Sequence, residues 1–184
     1  MKKGIGYRYI MFNTSFIKIF IIFMKSVLIL ASCVSGKTDT YLGYDKSGLI
    51  KFYDSQKIRH RHIDTVNALR VEQGLNALEY SRELNASAET HARDMAYQKR
   101  AWNFGSDHSS PKERSLRAGF TGVLRGENIS ETFEGEFEIL QVWIKNQVSR
   151  NILFDSKATH LGLGWYQGED GTIWWVQDVG QKVF

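Results

Sequence analysis

The sequence predicts an α+β fold with an antiparallel sheet. Two observations predict it. Stretches with helical caps and helical apolar spacing fill the middle of the chain, and a two-strand hairpin pattern closes it. A first helix is expected from about Ser55 to Gln73, with Gly74 placed where a left-handed cap residue belongs. Ser81 is an N-cap for a second helix. Along it Leu84, Ala88, His91 and Met95 recur at spacings of four, three and four, which puts them on one face. The third helix is marked most clearly. Ser110 caps it, Pro111 opens it, Glu113 completes a capping box and Gly119 ends it.

A fourth helix is expected from about Phe133 to Lys145, with Phe137, Leu140 and Trp143 on one side. Glu134, Glu136 and Glu138 suit the positive end of its dipole. A short strand is expected around Glu127 to Ser130. Leu161, Leu163 and Trp165 then alternate with Gly162, Gly164 and Tyr166. Gly168-Glu169-Asp170-Gly171 turns the chain, and Thr172 to Val179 returns as the partner strand.

One hundred eighty-four residues leave room for one domain and an export segment. The net charge of +4 is misleading. Residues 1–32 hold five of the 24 Lys and Arg and no acid, leaving 19 cations against 20 Asp and Glu. The cationic excess therefore sits where it would be cleaved off, and no nucleic-acid partner is expected. Phe16 to Ala31 is mostly apolar but is interrupted by Lys18 and Lys25, so its uninterrupted run falls short of the ~20 residues of a membrane span. Leu30-Ala31-Ser32-Cys33 resembles the lipobox of bacterial lipoproteins. Residues 1–32 are read as a lipoprotein signal peptide, with Met11 as an alternative start. Residues 33–53 are read as a lipidated Cys33 and tether, and residues 54–184 as the folded domain. Tyr41, Leu42, Tyr44, Leu49 and Phe52 are expected to pack the end of the tether on that domain. Cys33 is the only cysteine, so no disulfide within the chain is possible.

Gly126-Glu127-Asn128-Ile129 is the most informative stretch. Around it, in order, stand Asp107-His108, Ser110-Pro111-Lys112-Glu113-Arg114, Ala118-Gly119-Phe120, Trp143, Asn151-Ile152-Leu153, Gly162-Leu163-Gly164 and Trp174-Trp175-Val176-Gln177. From about Asn67 to Gly180 this order resembles the bacterial branch of the CAP superfamily: cysteine-rich secretory, antigen 5 and pathogenesis-related-1 proteins, or SCP-like domains. The resemblance implies a three-layer α-β-α sandwich. It also implies a cleft lined by two histidines and two glutamates, which in some members holds a divalent cation. His108 matches the first histidine and Glu127 the first glutamate. Asn146 falls at the second glutamate. The second histidine position falls on Ser149 or Val148, according to the direction of counting. The cleft set is therefore His108, Glu127, Asn146 and Ser149, a degenerate tetrad.

Zinc sites normally need three strong protein ligands, and His108 with Glu127 make two. No metal or other cofactor is expected, beyond a divalent cation weakly held at that pair. His160 is a candidate third ligand, or simply the start of a strand. Glu127 has a structural reading too, pinning a loop with His108 bonded to it. His91 reads as a satisfied core histidine. Arg59, His60, Arg61 and His62 read as a solvated cationic face. Asp107-His108-Ser109 sets a triad's residue types side by side, but adjacency in sequence is not triad geometry.

Three functions follow. The first is an exported, lipid-anchored protein of the bacterial cell envelope that acts by binding a sterol or fatty acid, as some relatives do, without catalysis. The second is a surface module for a host or envelope protein. The third is a hydrolase or peptidase with His108 as base and Glu127 orienting it, for which no nucleophile is identifiable.

Overall fold

The computed structural model describes residues 49–132 and 134–183. The signal peptide, Cys33, most of the tether and Phe133 lie outside the described residues. Ile50 ties the chain down, its N–H donating to Gln167 Oε1 at 2.8 Å. Phe52 opens a single 3-10 turn, Phe52–Asp54, and is 94% exposed, so this part of the tether does not pack as expected.

Helix α1 (Ser55–Glu72) ends in a Schellman motif. Gly74 has φ +73° and donates to Val71 O, while Leu75 donates to Arg70 O. Strand β1 (Glu79–Tyr80) precedes α2 (Arg82–Gln98), capped by Ser81 Oγ on Leu84 N at 3.1 Å. Helix α3 (Pro111–Arg117) carries the full Ser110–Glu113 capping box. Strand β2 (Gly122–Thr132) is far longer than the sequence suggests. Helix α4 (Glu136–Lys145) starts at Gly135 and not at Phe133. A further helix, α5 (Gln147–Leu153), follows at once. The expected hairpin closes the chain as β3 (His160–Gln167) and β4 (Ile173–Lys182).

The sheet order is β1-β3-β4-β2. Strand β4 runs antiparallel to both β2 and β3, while β1 runs parallel to β3. The alternation of β4 makes the three layers. Trp174 and Val176 face α2, where they join Ala88, Ala92, Met95 and Ile129. Ile173, Trp175 and Val179 face the other way, onto Ile58 and Val66 of α1, Ile139, Leu140 and Trp143 of α4, and Leu153 of α5. The three-layer α-β-α sandwich with a small, mainly antiparallel sheet is therefore present.

The glycines of β3 set how closely α2 approaches. A Cβ on Gly162 would lie 2.3 Å from Asn85 N, and one on Gly164 would lie 2.2 Å from Glu89 N. Helix backbone rests directly on strand backbone at both positions.

The cationic face read into α1 is not solvated as a whole. His62 is fully buried, its Nε2 2.6 Å from Gln177 Nε2, and burial pulls its pKa down to about 4. Arg59 is buried as well. It donates to Leu163 O, pairs with Glu89 and stacks 4.8 Å over Trp165. The helix turns these two residues toward the sheet and leaves His60 outside.

Candidate functional site

Glu127 lies on β2 with its side chain wholly buried under α2 and α3. Arg114 Nη2 donates to one carboxylate oxygen at 2.7 Å, and Asn103 Nδ2 donates to the other at 2.9 Å. The same guanidinium donates to Ser109 O at 2.8 Å and to Asn103 O at 3.1 Å. One arginine thus ties the 103–109 loop to the sheet. His91 Nε2 stands 3.7 Å from Glu127 and donates to Trp102 O at 2.8 Å. Burial lowers the His91 pKa despite Glu127, so its imidazole is neutral.

Asp178 of β4 sits directly across from Glu127 in the ladder. Its carboxyl is fully buried, with Ser87 and Glu127 beside it. Burial, then the neighbouring Glu127 charge, push its pKa well above the carboxylate range. Burial thus favours the protonated form of Asp178, while Glu127 faces Arg114.

The predicted tetrad does not assemble. His108 sits in the loop before α3 at φ +64°, with its side chain exposed. No hydrogen bond or ion pair joins it to Glu127, and Asn103 occupies the position expected of it. Asn146 and Ser149 bond each other instead, the Asn146 side chain capping α5 on Ser149 N at 3.0 Å. Ser149 O in turn accepts from Asn128 Nδ2 at 3.3 Å, on the opposite face of the sheet from Glu127. His160 does begin β3 as expected, its Nδ1 2.8 Å from Thr159 Oγ1. His91 is the core histidine expected of it, but it also borders Glu127.

The donor set does not fit a divalent cation. Both Glu127 oxygens are taken, a guanidinium supplies the positive charge, and His108 points elsewhere. Among the described residues no three His, Cys, Asp or Glu side chains converge to hold a metal. Nor is there an activated nucleophile among them. Ser87 lies one turn before His91, but its hydroxyl does not bond that ring. Asn103, Arg114 and Asp178 were not singled out from sequence. Asp178 did leave a signal, because it shares the inward face of β4 with Trp174 and Val176, where a carboxyl needs a special environment.

Two of the cavities among the described residues bear on ligand binding. One of about 490 Å³ lies between α2 and α3, lined by Ser87, Thr90, His91, Asp94, Arg114 and Arg117 among others. The Arg117–Asp107 ion pair belongs to its lining. The second, also about 490 Å³, lies beside α1 and is lined by Ile50, Phe52, Trp165 and Tyr166 together with Arg59 and Arg93.

The model of the cysteine-rich secretory protein family, CAP, matches residues 63–179. This chain belongs to the CAP family. Its one cysteine, Cys33, lies outside the matched stretch. The uncharacterised protein YkwD of Bacillus subtilis (strain 168) is 27% identical over 119 residues, 65% of this chain and 46% of that protein. The uncharacterised membrane protein YlbC of the same organism is 28% identical over 102 residues, 55% of this chain and 30% of that protein. The CAP domain here thus spans under half the length of these relatives. An extracellular SCP-domain protein of Bacillus anthracis superposes with a TM-score of 0.61 at 22% identity, covering 69% of this chain and 41% of that one. An outer surface protein of Borrelia burgdorferi superposes with a TM-score of 0.62 at 15% identity, covering 72% of this chain and 95% of that one. These likenesses establish the CAP fold.

Two outcomes follow from the cluster. Arg114→Met strands a buried carboxylate, and urea unfolding should show a loss of about 3–5 kcal/mol, whereas His108→Ala should stay within about 0.5 kcal/mol of wild type. Asp178 has a raised folded pKa, so its contribution is full at acid pH. It falls as pH climbs past about 3.9, where the unfolded chain ionises and the folded one does not. Asp178→Asn should therefore gain stability over wild type as pH rises from 4 toward 8 in thermal melts, and a constant offset would refute the buried acid.

Proposed function

We propose that this is an exported, lipid-anchored CAP domain that acts by binding a fatty acid, without catalysis. The open groove beside α1 carries the reading. Ile50, Phe52, Trp165 and Tyr166 offer apolar surface to an acyl chain, beside the polar Ser55, Glu89 and Gln167 of the same lining. Arg93 is exposed in the same lining with no ion pair among the described residues, and it suits a carboxylate headgroup. That charge favours a fatty acid over a neutral sterol. Export and anchoring rest on the apolar segment before Cys33 and its lipobox, and they accord with the extracellular and outer-surface proteins that share the fold.

A protein partner on the host or the envelope is the competing reading, favoured by Tyr97, which stands 83% exposed on α2. The two part in a titration of the chain with labelled palmitate and labelled cholesterol. Saturable palmitate binding near one per chain is expected, weakened by Phe52→Ala and by Arg93→Ala, with little binding of cholesterol. Absence of saturable palmitate binding, or binding indifferent to both substitutions, overturns the groove and leaves the protein partner in front.

A further inference from the structure

The described chain begins at Leu49, and aromatic side chains that surfaces seldom gather stand beside that point. Phe52 is 94% exposed and Tyr53 is 67% exposed. Tyr166 is exposed too and shares the groove lining with Phe52. The bond from Ile50 N–H to the Gln167 side chain places this cluster at the Gln167 end of β3.

Charge does not account for the cluster. Lys57 pairs with Asp54, and Arg59 pairs with Glu89. Lys51 lies 5.7 Å over the Tyr53 ring. Lys51 and Arg93 are matched in number by Glu169 and Asp170 of the adjoining turn. A charge-balanced aromatic face suits the headgroup zone of a bilayer, where a tyrosine ring buries its body and keeps its hydroxyl wet.

The length of chain before Leu49 argues for the same occupant. Residues 34–48 can reach at most ~50 Å from a lipidated Cys33. A tether of that reach allows the face that carries Leu49 to meet the membrane. A weak contact there is reinforced by the high local concentration that tethering creates.

We propose that the face formed by Phe52, Tyr53 and Tyr166 rests on the bilayer surface, so that the groove beside α1 opens toward the membrane and takes its fatty acid from it. This rests on the lipid-anchored reading of Cys33.

The test uses the full chain, expressed in bacteria and reconstituted in phosphatidylcholine vesicles that carry headgroup spin labels. A maleimide dye is attached at Glu169→Cys in the turn beside the patch, or at Lys157→Cys before the other end of β3. Eight residues of strand at about 3.3 Å each separate the two regions. Dye at Glu169→Cys should lose most of its emission, dye at Lys157→Cys should keep it, and adding Phe52→Ser with Tyr53→Ser should restore the first. Equal quenching at the two sites, or quenching indifferent to the aromatic substitutions, overturns the membrane face while leaving the anchor standing. A chain whose native Cys33 takes up the dye is unacylated, and then the anchor and this proposal fall together.

Discussion

A buried carboxylate with one strong counter-charge governs this domain. Glu127 is held by Arg114 and Asn103, and that one demand reaches through three elements. Arg114 can answer it only because the Ser110 capping box fixes the start of α3. The guanidinium also donates to Asn103 O and Ser109 O, which ties down the loop between α2 and α3. Burial first, and then the neighbouring Glu127, push Asp178 toward its protonated form. A second buried anion there would have no equal partner.

The next residue along β2 does the same on the opposite face. Asn128 points into the α1–α4–α5 layer, where its amide donates to Gln177 Oε1 at 3.1 Å and to Ser149 O at 3.3 Å. Gln177 continues to the neutral His62 of α1. Two adjacent residues of one strand therefore organise both helical layers. The polar centre that the family resemblance casts as a reactive cleft is occupied with holding the sandwich together. A groove separate from this centre lies at the edge where Ile50, Phe52 and Trp165 meet α1. There Arg59 serves as a backing, joined at once to Leu163 O, Glu89 and the Trp165 ring.

What the sequence makes legible is what local chemistry decides. The caps at Ser81 and Ser110, the glycine stops at Gly74 and Gly119 and the terminal hairpin each need only a few neighbouring residues, and each is present. Strand β1 is two residues long and exists only because Glu79 and Tyr80 meet His160 and Leu161. Nothing local announces it. Helix α5 is short and starts at Asn146, a residue weighed as a cleft member when its side chain is a cap. The site suffers most from this limit. Motif order singles out Glu127, but it cannot give the direction of a loop side chain. The left-handed backbone of His108 turns it out, and Asn103, five residues earlier, takes the carboxylate. His62 and Arg59 were hidden for a similar reason, because a helix face rich in cations reads as wet until its partners across the sheet are known.

If the Glu127 cluster is structural and the groove beside α1 takes the ligand, the two are separable, and palmitate titration of Glu127→Gln tests that separation most directly. The substitution keeps the shape of the side chain and removes the buried charge. If the separation is right, Glu127→Gln binds palmitate with the wild-type dissociation constant while its urea midpoint shifts. Loss of palmitate binding by a Glu127→Gln protein that remains folded would contradict it and return the ligand to the Glu127 cluster.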